Sequence, residues 1–493
     1  MPIPAPPAAP APNADALDAL DALDGPRPLL GLREAVTLIV GVVVGAGIFK
    51  APALVAGMTA DVPWMFLAWV LGGVVSLAGA LCYAELCTAY AHPGGDYHFL
   101  QLAYGRGLAF LFGWARYAVI TTGSIALLAF VFGDYLQQVL PLPAATPALG
   151  AAAWAALAVV ALAALNLAGL RGASLAQTGL TLLEVAALLG VAAAAALLAG
   201  VPSAASATSA AAAAAGTGPP ASFGLAMVFV LLAYGGWNEA AYISAEVRDG
   251  RRNMVRALVL SVSLITLLYL LVAWACWHAL GMPGLAASSA PAADVVRMAF
   301  GAPGERILAL LVAVSALTSI NATMIVGART GYALGCDWRA LGWLGGWDGA
   351  RGTPRVALLL QCAAALALVG LGTALGSGFR AMVEFTAPVF WLFFLLTGIA
   401  LFVLRRREPE RPRPYRVPLY PLLPAVFCLA CAGMLWSSLS YVSAQSLGGL
   451  SAAWIGVAVL AAGVLVLAAL LALQARAYTG HRPTETQAKE NRR

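Results

Sequence analysis

Long apolar runs, separated by short polar, proline- or glycine-bearing stretches, recur along almost the whole chain. Twelve can be placed, near residues 32–57, 63–91, 107–136, 149–168, 173–200, 222–246, 255–281, 304–335, 354–376, 380–404, 417–439 and 450–474. Each reaches the roughly 20 apolar residues that a helix needs to cross a bilayer. The pattern predicts an all-α integral membrane protein of twelve transmembrane helices. Outside the runs, residues 1–28 are Pro/Ala-rich and then acidic, with Asp15, Asp18, Asp21 and Asp24 at every third position. No basic segment followed by an apolar core occurs there, so the stretch reads as a disordered tail and not a signal peptide. Residues 201–220 are Ala/Ser/Thr/Gly/Pro-rich and uncharged, a loop of low complexity.

Two runs are interrupted. The first carries Gly41-Val42-Val43-Val44-Gly45-Ala46-Gly47-Ile48-Phe49. Glycine in mid-span weakens a helix, because it loses more backbone entropy than alanine. One reading is close helix packing, since Gly41-x-x-x-Gly45 has the small-residue spacing. The other is a break that leaves N–H groups at one half-helix end and carbonyls at the other. Such a break can hold a carboxylate and an ammonium together, which is what a zwitterion needs. The sixth span repeats the feature as Ala233-Tyr234-Gly235-Gly236-Trp237-Asn238. Interruptions in the first and sixth spans point to two inverted five-helix repeats with a binding site between the breaks.

Charge gives the orientation. With the N-terminus in the cytoplasm, the cytoplasmic segments hold 22 Lys and Arg residues and the opposite loops 4, Lys50, Arg297, Arg306 and Arg380, so both termini are expected inside a cell membrane. The chain is 61% hydrophobic and 10% charged, which excludes an ordinary soluble domain, and its +6 charge reports topology instead of nucleic-acid binding. No phosphate-cradling GxxxxGK[ST] loop occurs, so transport would rest on gradients or exchange. The seven cysteines lie in or beside apolar spans without metal-ligand spacing. No cofactor, metal or catalytic residue is expected, and the chain does not read as an enzyme.

Further motifs extend the pattern: Ala80-Leu81-Cys82-Tyr83-Ala84-Glu85-Leu86, Gly94-Gly95-Asp96-Tyr97, Glu246-Val247-Arg248-Asp249, Arg252-Asn253, and Asn321 to Arg329 followed by Tyr332-Ala333-Leu334. With the two interrupted spans, this ordered set resembles the amino acid–polyamine–organocation superfamily, and within it the L-type amino acid transporters and their bacterial relatives. The resemblance implies a LeuT-type fold of five plus five inverted helices with broken helices 1 and 6, two further helices, and alternating access. On that plan residues 29–404 form a ten-helix core, in repeats of about 32–200 and 222–404. Residues 405–475 supply a cytoplasmic loop and helices 11–12, and 476–493 a cytoplasmic tail.

By position, the resemblance implies that Val43, Ala46 and Gly47 hold the substrate carboxylate and part of the amine through backbone groups, with Gly45 and Ile48 beside them. Leu232 and Gly235 would offer carbonyls to the ammonium, and Ala233 would line the side-chain pocket. Tyr234 and Trp237 would lie beside the site as gates. Three departures stand out. Many relatives have serine where Ala46 stands. Where the family usually has a lysine seven residues after a glutamine in span five, this chain has Gln177 and then Glu184. The loop at 137–148 has no cysteine, so no disulfide-linked glycoprotein partner is expected.

Polar residues inside spans divide between chemistry and structure. Arg116 and Glu184 lie deep in spans three and five and are costly there unless paired or hydrated. Each can be a structural ion pair or a snorkelling side chain. Glu184 can instead be protonated and carry a coupling proton, pair with Arg116, or join free carbonyls in binding Na⁺. A proton-linked or structural role is preferred, because no acidic partner stands beside it. Glu239 is evenly balanced between coupling and structure. Asn238 and Asn321 read as helix–helix hydrogen bonds. Glu85 and Glu246, near inner span ends, read as solvated or paired with nearby arginines. The function expected is a secondary transporter, permease or exchanger, of neutral L-amino acids at the plasma membrane. The alternatives are an amine, polyamine or cationic amino acid carrier on the same scaffold, or a non-transporting sensor.

Overall fold

The computed structural model describes residues 30–480 apart from 60, 93, 145, 169–172, 199–221, 245–246, 349–352, 377 and 445–451. The tail expected at 1–28, the 201–220 loop, the tail beyond residue 480, Arg171 and Glu246 lie outside the described residues, as does the side chain of Gln177.

In chain order the helices are α1 Leu32–Val43, α2 Ala51–Thr59, α3 Val62–Ala89, α4 Gly95–Tyr104, α5 Arg106–Val139, α6 Pro147–Ala168, α7 Ala173–Leu197, α8 Phe223–Ala233, α9 Gly250–Ala287, α10 Pro291–Asp337, α11 Arg355–Ala374, α12 Gly378–Arg407, α13 Leu422–Ala444 and α14 Ala452–Gly480. Short 3₁₀ turns follow α1 (Ala46–Phe49) and α8 (Trp237–Ile243). Among the described residues the β pairing is confined to two isolated bridges, Leu30 with Val247 and Asp348 with Thr353. The protein is all-helical.

Among the described residues ten helical stretches are long and apolar enough to cross a membrane. Two of the twelve expected spans are not among them, for different reasons. The first is broken after Val43, which leaves pieces of 12 and 9 residues. The fifth is α7, a helix of 25 residues, Ala173–Leu197, of which the side chains are described continuously from Thr181 to Leu197. Two spans are longer than expected, because α9 and α10 each run through a glycine kink, at Gly281 and Gly301. The outer faces are apolar: Leu429 and Leu465 are each 72% exposed. Faces of this kind are stable only against another apolar phase. The inner faces carry the large closed-packed rings, Trp69, Tyr83, Phe99 and Tyr269 among them.

Small residues set how close the helices come. A Cβ on Gly133 of α5 would lie 2.0 Å from the Ala151 carbonyl oxygen of α6, so only glycine permits that backbone contact. Around the first break, α1 lies against α9 and α7, and the 3₁₀ turn after it against α10 and α5. The 3₁₀ turn after α8 packs on α1, α4, α9 and α3. The two interruptions therefore meet in the middle of the bundle.

Loop 408–421 is anchored to α3 by one buried carboxylate. Glu85 accepts hydrogen bonds from Arg405 Nε (2.7 Å) and the Val417 N–H (2.7 Å), and Arg405 Nη2 also bonds it. Arg413 Nε stands 3.4 Å away. Of the two roles expected for Glu85, pairing with arginines is the one the structure has.

Candidate functional site

The first break begins in a run of three valines, of which Val42 and Val43 end α1 and Val44 lies beyond it. β-Branched side chains lose rotamer freedom in a helix, so this last turn has little to hold it helical. Val44 leaves the helical region (φ −75°, ψ 65°), Gly45 is extended, and the chain re-enters a helical turn at Ala46. Two glycines of the motif do different work. A Cβ on Gly41 would lie 2.0 Å from Thr181 Oγ1 of α7, so Gly41 serves packing. Gly45 forms the break. The two readings of this motif are both present, one at each glycine.

At the second break Tyr234, Gly235 and Gly236 leave the helix before the 3₁₀ turn starts at Trp237. Gly236 has φ 115° and ψ −23°, a conformation that L side chains avoid. A Cβ there would also lie 3.1 Å from Val42 Cγ1 and 3.2 Å from the Val42 carbonyl oxygen. The second break thus rests directly on the last turn of α1.

One hydroxyl fastens the two together. Tyr269 of α9, fully buried, shares its one hydroxyl proton between the Val43 carbonyl (2.9 Å) and the Ala233 carbonyl (3.0 Å). These are the terminal carbonyls of the two half-helices, which lack partners within their own helices. The Gly45 N–H also bonds the Val43 carbonyl at 2.7 Å. Sequence reasoning missed Tyr269. The signal was there: a phenol in mid-span needs a polar partner, and broken helices supply free carbonyls. Tyr269→Phe leaves the Ala233 carbonyl without this donor. Loss of a buried partner of this kind costs about 1–3 kcal/mol, so the break geometry loosens. We expect KM for substrate uptake to rise about tenfold with normal expression; an unchanged KM would remove the clamp from the account.

Val43, Gly45, Gly47, Leu232, Ala233 and Gly235 line a single cavity of about 770 Å³, together with Ile48. Of Ala46 only the backbone is described. The first N–H groups of the turn at Ala46 and Gly47 lack helical acceptors, while the ends of α1 and α8 present carbonyls. The partial charges of these ends have opposite sign. The arrangement can hold an anion and a cation a few ångströms apart.

Tyr234 and Trp237 are placed differently from the expectation. Neither lines the cavity. The Tyr234 hydroxyl donates to the Trp69 carbonyl (3.1 Å), and its ring packs 5.0 Å from that of Tyr269. Trp237 packs edge-on against Tyr83 and Phe394 at 5.1 and 5.6 Å. At this break the cavity is lined instead by Gly235, Gly236, Asn238 and Glu239.

The charged residues also find partners other than those expected. Arg116 Nη2 bonds both oxygens of Glu239, at 2.7 and 2.9 Å, and the guanidinium lies 4.5 Å above the Tyr242 ring. Its pairing with Glu184 does not occur. Arg116 opens a π-helical stretch of α5, Arg116–Thr121. Glu184 instead accepts a hydrogen bond from Ser315 of α10, beside Phe49, and its Oε2 has no hydrogen-bond partner among the described residues. Asn321 accepts from Asn166 Nδ2 at 2.6 Å, joining α10 to α6. Asn238 is buried, and Asp96 of α4, also buried, accepts from the Tyr242 hydroxyl at 3.4 Å. Burial pushes the Asp96 carboxyl up to about 6, against the opposing pull of the nearby Arg116 guanidinium. All seven cysteines are unpaired, and the described residues hold no cluster suited to a metal.

The amino acid permease family model matches residues 30–460. The chain is 29% identical to the human (Homo sapiens) b(0,+)-type amino acid transporter 1 over 397 residues, 79% of this chain and 78% of that protein. It is 28% identical to the large neutral amino acids transporter small subunit 2 of Mus musculus over 411 residues, 83% and 76% of the two chains. It is 27% identical to the Asc-type amino acid transporter 1 of Mus musculus over 465 residues, 93% and 84%.

Proposed function

The chain belongs to the amino acid permease family, and from that premise we propose that it is a secondary transporter of neutral L-amino acids working by alternating access. The observation that carries the reading is the pair of helix breaks that face one cavity and share the Tyr269 hydroxyl. The substrate carboxylate takes the N–H groups of Ala46 and Gly47, and the ammonium takes carbonyls at the ends of α1 and α8. Twelve spans, the first ten in two inverted repeats, carry this site, with both termini in the cytoplasm of a cell membrane. The absence of cysteine in 137–148 supports a transporter that works without a disulfide-linked partner.

Charge on the cavity wall favours neutral substrates. Among the described residues the charged side chains lining it are Arg116, Arg329 and Glu239. The single carboxylate is already held by Arg116, so a polyamine or a cationic side chain would meet an excess of positive charge. In the orientation expected from loop charge, the cavity reaches the cytoplasmic end at Tyr97, Arg329 and Leu334. At the opposite end Lys50 pairs with Asp134, and the Tyr135 hydroxyl donates to the Phe49 carbonyl at 2.9 Å. This combination fits an inward-facing conformation. The test is competition for uptake into proteoliposomes. Neutral L-amino acids should inhibit; inhibition only by lysine, arginine or amines would sink the proposal.

Glu184 supplies the coupling group in this reading. It is 6% exposed, lines one small pocket with Phe49 just beyond the first break, and has an oxygen without a hydrogen-bond partner among the described residues. With imposed gradients, the wild type should respond to protons and Glu184→Gln should not. Stimulation of the wild type by Na⁺ alone would assign the carboxylate to that ion, and identical behaviour of the variant under every gradient would leave it without a coupling role.

A further inference from the structure

We infer that the Arg116–Glu239 pair selects the substrate's side chain, and that it favours amino acids ending in a carboxamide over apolar ones of equal length. The inference rests on the amino acid transport reading above and deepens it. The pair stands one turn from the second break. The Glu239 N–H bonds the Gly236 carbonyl at 3.0 Å, and three residues of 3₁₀ helix rise about 6 Å. A four-atom side chain attached to a Cα held at the breaks spans a similar distance. Both charged groups line the same cavity as the breaks.

The pair has bonding capacity left over. Arg116 Nη2 serves both Glu239 oxygens, while Arg116 Nε is buried without a hydrogen-bond partner among the described residues. The Glu239 side chain is 31% exposed and that of Arg116 is 6% exposed. A carboxamide can give its NH₂ to Glu239 and accept from the guanidinium while the ion pair stays closed. A side-chain ammonium would compete with Arg116 for Glu239 beside a like charge. A side-chain carboxylate would do the reverse. A methyl or thioether end would cover both groups and satisfy neither, which is unfavourable for polar groups taken out of water. The carboxamide therefore fits the pair as it stands.

The experiment compares L-glutamine, L-methionine, L-glutamate and L-lysine as competitors for uptake into proteoliposomes by the purified full-length protein. Wild type should prefer glutamine to methionine by about tenfold, one to two added hydrogen bonds to charged groups. Glu239→Gln should move preference toward glutamate, and Arg116→Gln toward lysine, each by tenfold or more relative to glutamine. Either single variant leaves a buried charge unpaired and can fail to fold. The double variant Arg116→Gln/Glu239→Gln leaves none, and it should transport glutamine and methionine alike. Retention of the wild-type order in the double variant, or a uniform fall for all four substrates, would show a structural tie and overturn the inference while leaving amino acid transport intact. Absence of uptake of any amino acid by the wild type would overturn both.

Discussion

Gly47→Ala should cut uptake about a hundredfold while the protein folds and reaches the membrane normally. The two halves of that expectation come from the same position. A Cβ on Gly47 meets no atom within 4 Å, so the empty protein accommodates a methyl group without strain. Gly47 lines the cavity, and its N–H opens the turn that receives the substrate carboxylate in the proposed mechanism. The added methyl would therefore meet the ligand and nothing else. Displacing a bound group from close backbone contact costs on the scale of overpacking, about 1–3 kcal/mol, the upper end of which is roughly a hundredfold in affinity. The check is uptake kinetics beside a thermal unfolding curve of the same detergent-solubilised sample. Loss of uptake with an unshifted curve supports the site. Unchanged kinetics would mean that the break at Val44–Gly45 is only a packing feature of the first span.

The second large effect is on stability. Glu85→Ala should destabilise the protein by about 3–5 kcal/mol, the cost of removing one partner from a buried charge pair. The wild-type carboxylate is 1% exposed and receives Arg405, Arg413 and the Val417 N–H. Without it two guanidiniums converge on one another, and loop 408–421 loses its anchor to α3. The melting temperature in detergent should fall by several degrees. Glu85→Gln should fall less, because the amide oxygen still accepts one of these bonds. Substrate affinity in protein that remains folded should change little, since Glu85 does not line the cavity. A melting temperature equal to that of the wild type would show that the arginines are satisfied by water.

The elements most readable from sequence were those where local chemistry conflicts with its surroundings. Paired glycines inside apolar spans mark the breaks at Gly45 and Gly235–Gly236, because such residues disfavour helix wherever they sit. Their ordered motifs also pointed to the family. What escaped depends on tertiary arrangement. Tyr234 and Trp237 were expected beside the site as gates; Tyr234 packs on Trp69 and Tyr269 and Trp237 on Tyr83 and Phe394, and such contacts are set by tertiary packing. Glu184 was the partner offered for Arg116 and Glu239 takes that place, because the pairing rests on which helices α5 touches. Spacing along the chain does not encode that contact. The Tyr269 clamp joins α9 to two chain segments more than 30 residues away, and a tyrosine in an apolar span has many ordinary explanations.

The central claim is that the two helix breaks together hold both charged groups of an α-amino acid. The most direct measurement is competition for uptake of a labelled neutral L-amino acid into proteoliposomes by that amino acid, by the amine lacking its carboxylate, and by the acid lacking its amino group. The account predicts saturable uptake that only the intact amino acid blocks, because each analogue leaves one break without its counter-charge. Equal inhibition by the amine or by the acid would contradict it.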